Sequence, residues 1–600
     1  MSRKWSIILL VVIIVATAGV LVYRFRLPLY AKFTSRKLNS KGGDITITNA
    51  RIWTGDPDDP WRTAMTVRGG KIIAMKADEP VGKVIDAQGR LVVPGFCDGH
   101  CHPQTPFVLV SPEAPMLFGA KSVDDVLNTL RDYIKAHHDD KYPRLFGWMD
   151  KIFKEGEKPT RQMIDEVVSD HPVYLVHHSG HAHWANTKAL KLAGILEETP
   201  ADLPGTGHIE RDPETGLATG YLEETELGST HGILLATVKK VKPLTFYEEV
   251  LAQRYILEMY SQVGVTSIWT KDGDLDITRI YEQILRDDAL PVRAILDNLY
   301  SPFSGKDDLK LFIQRAEEIK DSHLPKGFLR ADGVKLMMDL PYQAWMFEPY
   351  ADDSTNCGFP VFEMEEFRDQ VLEADRLGLQ INLLIMGDRA AHEGLSLLEE
   401  TAKVNPPRKR RHSLEHAEFI IDEDLPRFKQ LGVIAVMNPI GSYPDPEYQE
   451  SSAKHFGKER LDKYYQRWKD LIEAGAVVVN GSDFPLAPMD PLVGMHILVN
   501  GTDIHGKPEG GLWPHKNITI EQALRTYTTN GAYASFDEDH YGMLKPGYEA
   551  DFAILSENIL DPDFKKDKLA WVKVNLTVFN GHVVHEDFTD AEKVIEFGSD

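Results

Sequence analysis

Two histidines one residue apart, His100 and His102, end an apolar run that starts at Val92. In extended chain, residues i and i+2 face the same side, so both imidazoles aim at one point while Cys101 faces away. Neutral imidazoles converging at a strand end suit a transition metal such as zinc. The pair alone is a weak signal, because two polar residues also serve simply to carry a strand into solvent. Three distant stretches supply further groups: Lys335 within Asp332-Gly333-Val334-Lys335-Leu336, His416 closing Ser413-Leu414-Glu415-His416, and Asp483 closing Asn480-Gly481-Ser482-Asp483. A further histidine and an aspartate suit zinc-type ligation, and Asp483 is of the type that accepts a proton from water. Ordinary roles compete for each: Lys335 reaching solvent, His416 hydrogen-bonded at a strand end, Asp483 capping the turn before Phe484-Pro485.

The elements that must position these groups follow from the apolar pattern. Residues 92–97, 265–269, 292–296, 333–337, 379–385, 412–415, 433–437 and 476–480 read as buried strands, with helices such as Phe246–Gln262 and Met364–Leu377 between them. Alternating strands and helices argue for parallel βαβ units, and eight strands is the count of a closed (β/α)8 TIM barrel, an α/β fold. In such a barrel the C-terminal strand ends converge on the axis. Four of the eight inferred ends then offer a metal-compatible group, and that coincidence outweighs the ordinary readings. Short alternating segments at 45–53, 64–67, 71–74, 550–555, 572–578 and 583–584, with turns at Gly69-Gly70 and Asn580-Gly581, read as a composite β-sandwich domain made from both termini, 41–91 and 540–600. The barrel then spans 92–539. Residues from about 103 to 262 break its alternation, with a strand at 172–176 and turns around 204–219, and read as a large insertion after the first barrel strand.

The bulk composition narrows the partners. At 42% apolar and 26% charged the chain is globular. Its net charge of −24 excludes a basic nucleic-acid surface, which leaves a small-molecule substrate. Three cysteines, Cys97, Cys101 and Cys357, are too few for a disulfide framework. Cys97 and Cys101 lie beside the histidines, but no second pair completes a Cys/His zinc site, and they read as small buried residues. Near the start, Arg3 and Lys4 precede an apolar run at 7–22 with Trp5 and Tyr23 at its ends. Length and interfacial aromatics predict a single-pass transmembrane helix, with 1–40 as membrane anchor and linker. A cleaved signal peptide is the rival, although Ala16-Thr17-Ala18 lies inside the run and not at its end. An N-terminal anchor of this kind places the catalytic domain on the periplasmic or extracellular side. The basic residues Arg24, Arg26, Lys32, Arg36 and Lys37 pull the other way, toward a cytoplasmic domain.

Taken together, these stretches resemble the amidohydrolase superfamily of metal-dependent hydrolases, and within it the amidohydrolase-3 group that includes N-substituted formamide deformylases. The matching residues are Pro94-Gly95-Phe96 through His102, Ser179-Gly180-His181 with Trp184-Ala185-Asn186, Thr219-Gly220 with Glu224, Val334-Lys335-Leu336, Gly387-Asp388-Arg389-Ala390, Glu415-His416-Ala417, Gly481-Ser482-Asp483 with Pro485, and Leu544-Lys545-Pro546-Gly547 with Ala550-Asp551. The resemblance implies the barrel with its composite β-sandwich, and hydrolysis of a carbon–nitrogen bond other than a peptide bond in an amide-type molecule. It implies a metal on His100, His102, Lys335 and Asp483, with Lys335 carboxylated by carbon dioxide. In relatives the sixth-strand histidine, here His416, joins a fifth-strand histidine in holding a second metal. Leu384 stands at that fifth-strand place, and Asn438-Pro439 stands where relatives carry glutamine before proline. The expectation is therefore a single divalent ion, zinc by ligand type, with Asp483 as general base and His416 free to polarise substrate or to join the metal. His181 and Trp184 match family positions and are expected to line the pocket. Two rival readings use the same residues: an altered-site binding protein without catalysis, for which Leu384 argues, and a hydrolase of esters or lactones.

Overall fold

The computed structural model describes residues 37–593 except 105–113, 118, 155, 178–181, 201–206, 224–232, 243–244, 301–303, 306, 341–342, 445 and 590–592. Eight parallel strands pair in chain order: β1 Phe96–Cys101, β2 Val265–Gly273, β3 Arg293–Tyr300, β4 Leu329–Met337, β5 Gln380–Ile385, β6 Ser413–His416, β7 Ile434–Met437 and β8 Val477–Asn480. β1 and β8 stand at the two ends of this ladder. They are stitched together just beyond β8, where Asp483 N donates to His100 O and His102 N donates to Phe484 O, each at 2.8 Å. Two glycines allow that approach: a Cβ on Gly481 would lie 2.3 Å from His100 N, and one on Gly99 would lie 2.4 Å from Val479 Cγ1. Helices Phe246–Gln262 and Met364–Leu377 stand where the apolar period placed them.

Several strand boundaries differ from the sequence reading, and three of the differences in the barrel have a physical reason. The run at 92–97 is shared between two sheets. Leu91–Pro94 pairs with Arg51–Trp53 and Phe552–Leu555, and the barrel strand begins afresh at Phe96. Gly95 sits at the division, where a Cβ would lie 2.1 Å from Thr266 Oγ1. β2 and β3 run on past their apolar stretches to Gly273 and Tyr300. Their polar ends hold Lys271, Asp272 and Asp297, all buried, because charged partners inside the barrel pair with them.

Strands from both ends of the chain build a two-sheet sandwich. A six-stranded sheet orders His582–Glu586, Val574–Phe579, Phe552–Leu555, Leu91–Pro94, Arg51–Trp53 and Trp61–Arg62; a four-stranded sheet orders Lys71–Ala74, Met65–Arg68, Ile45–Thr48 and Lys83–Asp86. The run at 45–53 is thus two strands in different sheets, broken at Asn49 with φ 50°. Alternate residues fill the shared core, among them Ile45, Ile47, Met65, Val67, Phe552, Ile554, Leu576 and Val578.

Residues 104–245 form a compact unit of their own, so the insertion ends before Phe246–Gln262 rather than within it. Its sheet orders His208–Arg211, Ala218–Glu223, Ala182–Ala185, Tyr174–His177 and Arg144–Trp148. Among the described residues, no helix is long and apolar enough to cross a membrane. The expected anchor at 7–22 lies outside the described residues.

Candidate metal centre

His100 lies in β1 and His102 one residue beyond its end, so the period of two sends both rings to the barrel axis. Their centroids are 5.2 Å apart. Asp483 follows β8 after a two-residue turn, at φ 60°, and its backbone bond to His100 holds it against β1. Asp98 fixes the same turn, accepting from Ser482 N at 2.9 Å and Ser482 Oγ at 2.5 Å. One carboxylate oxygen, Asp483 Oδ1, then lies 3.5 Å from His100 Nε2 and 3.2 Å from His102 Nε2. Ligand atoms of the three residues all fall within 4.8 Å of one another.

The opposite nitrogens are held from behind. Glu415 Oε2 is 2.7 Å from His100 Nδ1, with both side chains fully buried. Asp272 Oδ2 is 3.1 Å from His102 Nδ1, and Asp272 Oδ1 accepts from Lys335 Nζ at 2.9 Å. Lys335 therefore stands beside the cluster as the counter-ion of Asp272. His416 ends β6 at φ 65°, with its ring 4.6 Å from that of His100. Leu384 is buried on β5, in register with Met337 and Glu415, and two residues beyond Asn382 on the same strand face. It offers no lone pair there.

The electrostatics follow from this arrangement. Burial disfavours a charged His100, and the neighbouring His416 adds to that, so it titrates well below the ordinary range. Burial also opposes a charged His102, but the carboxylates of Asp272 and Asp483 on its two sides prevail and raise it to about 9. Burial pushes Asp483 up, yet the His102 hydrogen bond first, and then the electrostatic influence of the three surrounding imidazoles, hold it well below the usual carboxylate range. His416 is lowered, chiefly by burial.

The donor set fits a divalent transition ion. It has two imidazole nitrogens and one ionised carboxylate, and His100 Nε2 is buried with no hydrogen-bond partner among the described residues. The positive charge that two carboxylates draw onto His102 is the charge a cation between Nε2 and Asp483 supplies instead.

Trp184 is fully buried among Trp148, Tyr221 and Leu175 in the core of residues 104–245, and its indole N–H donates to Thr160 O at 2.7 Å. His181 lies outside the described residues. Sequence reading missed Asp272, Glu415 and Lys271. Their only signal was position: each lies within the last three residues of a barrel strand, and polar residues at β2's end looked like the start of a loop.

The sequence profile described as the amidohydrolase family matches residues 83–585. Protein LONG AFTER FAR-RED 3 of Arabidopsis thaliana is 30% identical over 554 residues, covering 88% of this chain and 90% of its own. N-substituted formamide deformylase of Arthrobacter pascens is 27% identical over 538 residues, covering 86% and 94%. Among solved structures, an uncharacterized metal-dependent hydrolase from Pyrococcus horikoshii superposes with a TM-score of 0.68 at 24% identity, over 87% of this chain and 99% of the other, a likeness of fold.

Proposed function

We infer the reaction from one premise: this chain belongs to the amidohydrolase family and is a metal-dependent hydrolase. We propose that it cleaves a carbon–nitrogen bond other than a peptide bond, in a small amide-type molecule, using one divalent ion held by His100, His102 and Asp483. The observation that carries this is the meeting of those three donors, with His100 Nε2 left bare. A zinc ion bound there supplies Lewis acidity to the carbonyl and makes water a better acid. Asp483, ionised at neutral pH, accepts a proton from the attacking water and passes it to the leaving nitrogen. His416, kept neutral by burial, donates an N–H toward the oxygen on which charge develops. Lys335 enters as the ammonium that steadies Asp272; carboxylating it requires that pair to break.

Leu384 favours one ion over two, since leucine ligates nothing. It also supports the rival reading of a barrel that binds without catalysis. A panel of N-substituted amides and matching esters, assayed with and without chelator, separates the readings. Amide turnover that chelation abolishes and Zn²⁺ restores is expected. Ester turnover alone selects the ester reading; no turnover, with metal bound, selects the binding protein. Metal analysis is expected to return one equivalent, and two tightly held equivalents overturn the single-ion form. We further propose that the run at 7–22 tethers the enzyme to a membrane with its catalytic domain outside; release of full-length chain by salt alone rejects the tether.

A further inference from the structure

β2 sends two consecutive side chains into the barrel. In a regular strand Lys271 and Asp272 would face opposite sides. Here the β2–β3 register shifts between Thr270 and Gly273, and Asp272 takes φ 50°, the left-handed region that L-residues adopt at a cost. One reaches a histidine of the metal site directly and the other reaches a second histidine through Glu415. Asp272 meets His102 Nδ1 directly. Lys271, fully buried, donates to Asp297 Oδ2 at 2.6 Å and to Glu415 Oε1 at 3.2 Å, and the other oxygen of Glu415 takes His100 Nδ1. Ser413 Oγ donates to Glu415 Oε1 as well, and Trp269 Nε1 donates to Asp297 Oδ1 at 2.9 Å.

A neutral imidazole carries one N–H. A carboxylate at Nδ1 keeps the proton there and turns the Nε2 lone pair outward. The hydrogen bond with Glu415 holds His100 in this way, Asp272 stands 3.1 Å from His102 Nδ1 as an ion-pair partner in position to do the same, and both Nε2 atoms face Asp483.

We propose that the β2 bulge makes Lys271 and Asp272 the positioning residues of the metal centre, Asp272 acting on His102 and Lys271 acting on His100 through Glu415. This rests on the reading that His100, His102 and Asp483 hold the metal. Zn²⁺ affinity of the full chain, measured by competition with a chromophoric chelator, tests it in Asp272→Asn, Glu415→Gln, Lys271→Arg and Lys271→Met, each with an unfolding curve. Asp272→Asn and Glu415→Gln are expected to bind Zn²⁺ about 10- to 100-fold more weakly. Lys271→Arg, which keeps the cation, is expected to lose less than Lys271→Met. Unchanged affinity in folded Asp272→Asn and Glu415→Gln overturns the proposal. Where a variant fails to fold, ¹⁵N spectra of the Zn²⁺-loaded parent decide: a proton on Nδ1 of both His100 and His102 supports it, and metal on Nδ1 of either sinks it. A parent that binds no Zn²⁺ removes the metal reading itself, an outcome distinct from a parent that binds while the variants match it.

Discussion

Asp483 is a carboxylate whose neighbours decide its chemistry. Burial alone would make it a weak anion, and the imidazoles around it reverse that. At neutral pH it is ready to accept a proton and has none to give, which suits the first step of hydrolysis. Asp483→Asn keeps the shape and removes the base. We expect the unfolding curve to hold and kcat/KM at saturating Zn²⁺ to fall at least about 100-fold; turnover near the parent level rejects the base role.

At the scale of elements, the site depends on how closely β1 and β8 approach. Gly481 touches the backbone of His100, so Gly481→Ala must push the two strand ends apart. The expected cost is about 1–3 kcal/mol of stability together with weaker Zn²⁺ binding, read by urea unfolding and chelator competition. Binding and stability both at the parent level would show that the approach is not needed. Elsewhere, the carboxylate of Asp375, near the end of the helix Met364–Leu377, is enclosed and gathers Arg408, Arg410, His412 and Asn405 from the chain entering β6. Burial opposes its charge, but hydrogen bonds from His412, Arg410 and Asn405 win and hold it far below the usual range. A carboxyl depressed in the folded state adds stability above its unfolded value, about pH 4, and loses it as pH falls lower. Asp375→Asn should therefore cost about 3 kcal/mol at pH 7 and progressively less below pH 4. A gap that widens on acidification contradicts this.

For the molecule as a whole, the barrel and the composite sandwich lie in one compact unit. Arg293 at the start of β3 joins them. Its Nε donates to Asp551 Oδ2 at 2.8 Å, both side chains are buried, and Asp551 Oδ1 in turn accepts Asn580 N. Arg293→Met strands a buried carboxylate, at an expected cost of about 3–5 kcal/mol. Calorimetry should show the barrel and sandwich transition shifting down as one; a sandwich that melts separately while the barrel keeps its parent Tm would mean the two are independent.

Hydropathy period alone located seven of the eight barrel strands, the helices Phe246–Gln262 and Met364–Leu377, and the alternation that puts the two histidines on one side, because each depends only on neighbours in sequence. The same local signal named Asp483 as a strand-end carboxylate. It did not reveal the division of the run at Gly95, the inward turn of Lys271 and Asp272, or the enclosure of Trp184. Those rest on residues far away in the chain: Thr266 against Gly95, Glu415 beyond Lys271, Thr160 against Trp184. A buried charge looks like a loop residue until its partner is known, and only the tertiary structure, by closing the strands into a ring, supplies the partner.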